Sequence, residues 1–96
     1  MPKIYEYLGI VIQFFSNEHD PVHIHASTDK GAMKVSFFIK DGKIIKTKFE
    51  HIGGKFDKEK DLRIFVKEYK DRLVNAWVDY FVYHKSITCI KITKKL

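Results

Sequence analysis

Residues 18–26, EHDPVHIHA, hold three histidines, two carboxylates and a proline in nine positions. Proline fixes its own φ and pushes Asp20 towards an extended shape, so the chain turns at Asp20–Pro21 and a strand can start at residue 22. Side chains alternate along a strand, so His23 and His25 project from one face. His19, just across the turn, could fold back towards them.

Three chemistries suit this cluster. Neutral imidazoles at 19, 23 and 25 are ligands for zinc, nickel, iron or copper, and Asp20 or Glu18 could ligate the ion or orient a ring. A zinc site normally takes a fourth ligand, and nothing in the sequence brings His51 or His84 near. Alternatively, two histidines work as base and acid on an RNA 2′-hydroxyl and its leaving oxygen, since histidine titrates near neutral pH. A lysine would then stabilise the charge that builds on phosphorus. In the third case the histidines hydrogen-bond backbone in a polar loop and only hold the strand in place.

The elements that must position these groups follow from pattern. Residues 3–7 and 10–16 are rich in Ile, Val, Tyr and Phe and suit half-buried strands. Gly9 between them can take a positive φ, which makes a first hairpin. The His-bearing strand spans 22–28, and KVSFFIKDGKIIKTKF (34–49) is a second hairpin. A two-residue Asp41–Gly42 loop would set Val35 and Phe37 opposite Lys48 and Lys46, mixing apolar and charged residues on both faces. A three-residue loop, Lys40–Asp41–Gly42, pairs Val35 with Thr47, Phe37 with Ile45 and Ile39 with Lys43, and lets one face be buried consistently. That register is the expected one. It leaves Lys34, Lys40, Lys46 and Lys48 beside Phe38 on the other face, with Lys34 directly across from Lys48. Like charges there repel, and a bound anion would relieve them. Lysines around Phe38 resemble a stacking platform for single-stranded nucleic acid. They equally suit an edge charged against aggregation.

After Gly53–Gly54, Asp57 looks like an N-cap, with Glu59 and Asp61 in the first turn. Leu62, Phe65, Val66, Tyr69, Leu73, Ala76, Trp77 and Tyr80 then recur at steps of three and four, the apolar stripe of one long helix over 57–83. Residues 87–93, ITCIKIT, predict a short last strand, which returns to the sheet or pairs with another subunit in a homodimer. The fold class is therefore α+β. An antiparallel sheet of two N-terminal hairpins plus a His-bearing strand packs on one long C-terminal helix, and a short terminal strand completes it.

Composition bounds the rest. The chain's 96 residues make one domain, 1–96, and at 45% hydrophobic it can bury a core. The single Cys89 excludes an internal disulfide and fits a reducing cytoplasm. No apolar run is long enough to span a bilayer, and MPKIYEYLG lacks a signal-peptide core, so a cytoplasmic protein with no membrane partner is expected. A net charge of +6 attracts polyanions without choosing among them, which makes RNA or DNA the leading partner class.

MPKIYEYLGIVIQFFSNEHDPVHIHA (1–26) resembles the opening of a bacterial family named only as domain of unknown function 4160. Its members begin with Met-Pro and continue through an extended F-x-G-I segment to a histidine–proline–histidine stretch ending H-x-H-A. Gly9, Ile10, His19, Pro21, His23, His25 and Ala26 match, and LVNAW, ending at Trp77, resembles the family's L-L-x-x-W. The chain departs at Glu18, where aspartate is usual, at Val22, which replaces a second proline, and at Tyr69, where a helix histidine often lies. Residues from about 79 onward look like an addition. No activity is established for the family. Its genes are commonly associated with another small uncharacterised family, numbered 2442, in pairs that look like toxin–antitoxin modules. The resemblance thus implies a small cognate protein partner and a toxin-like protein that binds or cuts RNA.

Overall fold

The computed structural model describes residues 3–14 and 22–96. Strands β1 (Lys3–Tyr7), β2 (Ile10–Phe14), β3 (Val22–Ser27), β4 (Gly31–Lys40) and β5 (Lys43–Gly54) precede the helix α1 (Glu59–Phe81), and β6 (Ile90–Ile92) follows it. The six strands form one sheet in the order β5-β4-β3-β2-β1-β6. Neighbours from β1 to β5 run antiparallel, as expected. β6 lies parallel to β1, which makes the sheet mixed. The terminal strand therefore returns to its own sheet, and the Leu96 N–H donates to the Tyr7 hydroxyl at 3.0 Å.

Period-two alternation builds the core. Tyr5 and Tyr7, Ile10, Ile12 and Phe14, Val22, Ile24 and Ala26, and Met33, Val35 and Phe37 are all buried on one face. They are also direct cross-strand partners: Phe14 with Ile24, Ile24 with Val35, Ala26 with Met33. Against them α1 lays its stripe, with Leu62, Phe65, Val66 and Leu73 buried and Tyr69, Ala76, Trp77 and Tyr80 packed at the margin. Phe65 stacks on Tyr7 and Tyr69 with ring centroids 5.3 and 4.7 Å apart.

Two local features differ from expectation. The helix starts at Glu59 behind Lys58, and no side chain caps it. Asp57 is instead taken by Lys30, whose ammonium lies 3.1 Å from its carboxylate. A tertiary partner has outcompeted the local cap.

The second hairpin turns through two residues, with Lys40 opposite Lys43 and both Asp41 and Gly42 at positive φ, 53° and 77°. This primed turn matches strand twist, and aspartate tolerates the left-handed region. The mixed faces that argued for a three-residue loop are avoided by a bulge. The register shifts between Phe38 and Ile39, so that Ile39 pairs with Ile44 and Phe38 with Lys46, and Ile45 is left over. Ile45 is 65% exposed. Beyond it Thr47, Phe49 and His51 face the same side as Phe37, Val35 and Met33. Lys34 therefore stands opposite Glu50, and Lys48 opposite Ser36, so the Lys34–Lys48 repulsion does not arise.

Gly54, where β5 ends, has φ 58°, and a Cβ there would run into the Lys30 carbonyl and come within 3.0 Å of the Gly31 Cα. At Gly42 a Cβ would meet nothing within 4 Å. Gly54→Ala adds a backbone clash to the positive φ and is expected to cost about 3 kcal/mol, well above the roughly 1 kcal/mol backbone cost of Gly42→Ala. Urea midpoints of the two variants check this. Equal midpoints would show that the chain shifts freely at Gly54.

Candidate nucleic-acid interface

The face of the sheet turned away from α1 collects the polar residues of the same strands. The alternation that buries Val22, Ile24 and Ala26 against the helix turns His23 and His25 the other way. They share that face with two rows that cross several strands. Gln13, His25, Lys34 and Glu50 are successive partners across β2, β3, β4 and β5. His23, Ser36 and Lys48 are successive partners across β3, β4 and β5. Phe38 and its partner Lys46 follow towards the hairpin turn. Directly paired residues have Cβ atoms about 4.5–5.5 Å apart, and residues two apart on a strand about 6.5–7 Å. These side chains are thus one contiguous patch.

The Lys46 ammonium sits 5.7 Å from the centroid of the Phe38 ring. Phe38 and Lys34 are half-buried, while Lys40, Lys46 and Lys48 are exposed. Lys40 continues the patch to the turn, opposite Lys43. At the other end the patch is sheltered. His23 is 8% exposed and Ser36 3%, and the Nε2 atoms of His23 and His25 are withdrawn from solvent. A charged, open rim therefore leads to a buried His23 and a half-buried His25.

Burial lowers the pKa of His25, because a low-dielectric surrounding penalises the imidazolium. At pH 7 the ring is neutral, the form that takes a proton or binds a metal. The unfolded chain binds this proton more readily than the native one. Native stability from His25 is therefore complete above the unfolded pKa of about 6.5 and is lost as pH falls through the lowered folded value. The expected result is that wild-type protein loses more stability than His25→Gln on moving from about pH 7.5 to pH 5. Urea unfolding at each pH measures it, and parallel curves would contradict the shift.

His19 lies outside the described residues, as do Glu18, Asp20 and Pro21. His23 and His25 are brought together on one face, but His51 and His84 do not join them. His51 faces the helix side, its Nε2 2.9 Å from Glu59 Oε1. His84 is exposed beyond the end of α1. Among the described residues no group of three or more His, Cys, Asp or Glu side chains is placed to hold a metal ion. Gln13, Ser36 and Glu50 belong to the patch without having been singled out from the sequence. Their membership depends on the register across β2 to β5, which no local motif announces.

No helix among the described residues is long and apolar enough to cross a membrane. No curated protein and no solved structure gives a significant match to the chain. The model of one family, Domain of unknown function (DUF4160), matches residues 9–78 and so takes in β2 to β5 and all but the end of α1. β6 and all of β1 fall outside the match. With the whole patch and most of the helix inside that match, the chain belongs to the DUF4160 family.

Proposed function

We propose that the protein is a nucleic-acid-associated domain that holds single-stranded RNA on the helix-free face of its sheet, as the toxin-like member of a two-protein module. One observation carries this reading: two residue sets distant in sequence, His23–His25 and Lys34–Phe38–Lys46–Lys48, occupy adjacent positions on one face. Lysines track phosphates, and the Phe38 ring offers a surface on which an unstacked base can lie. A single strand suits the patch better than a duplex, since only splayed bases reach a flat sheet.

A second, catalytic reading draws on the neutral state of His25 and on Lys34 as its direct neighbour. His25 would take the 2′-hydroxyl proton as the 2′-oxygen attacks phosphorus. His23, or His19, would protonate the departing 5′-oxygen, and Lys34 would stabilise the charge on the non-bridging oxygens. In the alternative reading the same imidazoles hold a transition metal such as zinc, and the domain has no catalytic activity. A third alternative is an interaction domain whose basic surface meets another protein.

Fluorescence anisotropy with a labelled 12-nucleotide single-stranded RNA, titrated at several salt concentrations, separates these readings. Binding by about three phosphate contacts gives a slope of log K against log salt of about −2. His25→Ala should leave binding intact and abolish any cleavage. Absence of RNA binding at low salt, together with stoichiometric zinc uptake that His23→Ala or His25→Ala removes, would establish the metal reading instead.

A further inference from the structure

β5 ends the sheet, and among the described residues no strand lies beyond it. It is also the longest strand, at twelve residues, so its outer row of backbone N–H and C=O groups forms an extended template. Cations flank that edge on both sides. On the helix side a cavity of about 240 Å³ is lined by Thr47, Phe49, Arg63, Val66, Lys67 and Lys70. Its wall thus carries three cations, one hydroxyl and an apolar floor, and no acid. Arg63 is already engaged, 4.2 Å over the Phe49 ring and 2.8 Å from Glu59. Lys67 and Lys70 enter no ion pair among the described residues. On the opposite side Lys46 and Lys48 are exposed. Ile45 and Ile52, 65% and 43% exposed, stand near the two ends of the strand.

We propose that the outer edge of β5 captures an extended acidic segment of a partner protein as an added strand. Alternate side chains of such a segment fall on opposite faces. One set would reach Lys67 and Lys70, the other Lys46 and Lys48, while the ladder along β5 supplies affinity that does not depend on side chains. Charge argues for this occupant over a second copy of the chain. β5 itself carries three lysines against one glutamate, and that Glu50 lies 4.0 Å from Lys48 and opposite Lys34. Two such edges, each flanked by Arg63, Lys67 and Lys70, repel. A polynucleotide would satisfy the cations but has no backbone to complete the ladder. The lysines and the Ile45 bulge, devices that keep an edge from self-pairing, are the same features that select an acidic strand.

The probe is a fluorescein-labelled octapeptide of the repeat Glu-Glu-Val-Val, which puts glutamates on both faces of an added strand, titrated into the full chain by anisotropy. Its twin carries N-methyl groups on alternate residues, which removes the N–H groups that face β5. The unmodified peptide binds, and the methylated one binds at least about tenfold more weakly. Amide resonances of Lys46–Ile52 shift and gain exchange protection. In the double variant Lys67→Glu, Lys70→Glu, peptide affinity drops by about tenfold or more while RNA affinity stays within about twofold. Equal binding of the two peptides would overturn the proposal, as would no binding of either. Sedimentation showing a dimer that forms through β5 would overturn it in favour of a second copy.

Discussion

Phe65→Ala is expected to cost about 3–5 kcal/mol, enough to leave the domain close to unfolded at room temperature. Phe65 is fully buried. Its ring meets Tyr5 edge-on at 5.5 Å, stacks on Tyr7 at 5.3 Å and lies nearly flat on Tyr69 at 4.7 Å. It is the point at which α1 grips the β1 end of the sheet. Truncation removes the transfer free energy of a phenyl ring and leaves a cavity that three aromatic neighbours, held by strand and helix backbone, cannot close. Edge and stacking contacts worth about 0.5–1.5 kcal/mol each beyond area burial are lost with it. Phe65→Leu keeps most of the volume and should cost about half as much. Urea-induced unfolding followed by tyrosine and tryptophan fluorescence reads both. A loss below about 1 kcal/mol for the alanine variant would mean that α1 is not anchored on β1 at all.

The second large effect is on binding. Lys46→Glu with Lys48→Glu is expected to weaken single-stranded RNA binding about 100-fold near physiological salt, because two attractive contacts become repulsive. The salt slope should shrink by about 1.4, roughly 0.7 for each lost phosphate contact. Phe38→Ala should act differently. Loss of a base-stacking surface is worth about 1–3 kcal/mol, a weakening of about 5- to 150-fold, with the slope unchanged. The contrast matters more than either number. A charge-only surface would lose affinity at the lysines and not at Phe38, whereas a stacking platform loses it at both. Both lysines are exposed on β5, so folding should survive, and circular dichroism of the variants checks that.

The fold was largely legible in the residues, for reasons that can be named. Alternation in VHIHA admits one arrangement on a strand with one buried side, so the pairing of His23 with His25 on a common face followed directly from the chain. The stripe from Leu62 to Tyr80 left α1 little freedom about which side it buries. The two-residue turn at Asp41–Gly42 does not follow from the sequence, because two- and three-residue loops differ little locally and the deciding feature, a bulge at Ile45, lies three residues past Gly42. The absence of a cap at Asp57 is not legible locally, because Lys30, distant in sequence, pairs with the carboxylate. The parallel placement of β6 beside β1 depends on where α1 ends in space, which a three-residue strand cannot encode.

The site was legible in part. Its histidines and lysines stand out by type, but only the β3–β4–β5 ladder shows that they are neighbours. The bulge sets Lys34 beside Glu50, and it places Ser36 between His23 and Lys48. Gln13 joins through β2.

The most direct measurement of the central claim is a titration of the labelled protein with single-stranded RNA, followed by two-dimensional NMR of the backbone amides and the imidazole rings. Shifts concentrated at His23, His25, Lys34, Phe38, Lys46 and Lys48, with α1 silent, are the predicted result. Shifts confined to α1, or an unchanged spectrum at saturating RNA and low salt, would contradict it.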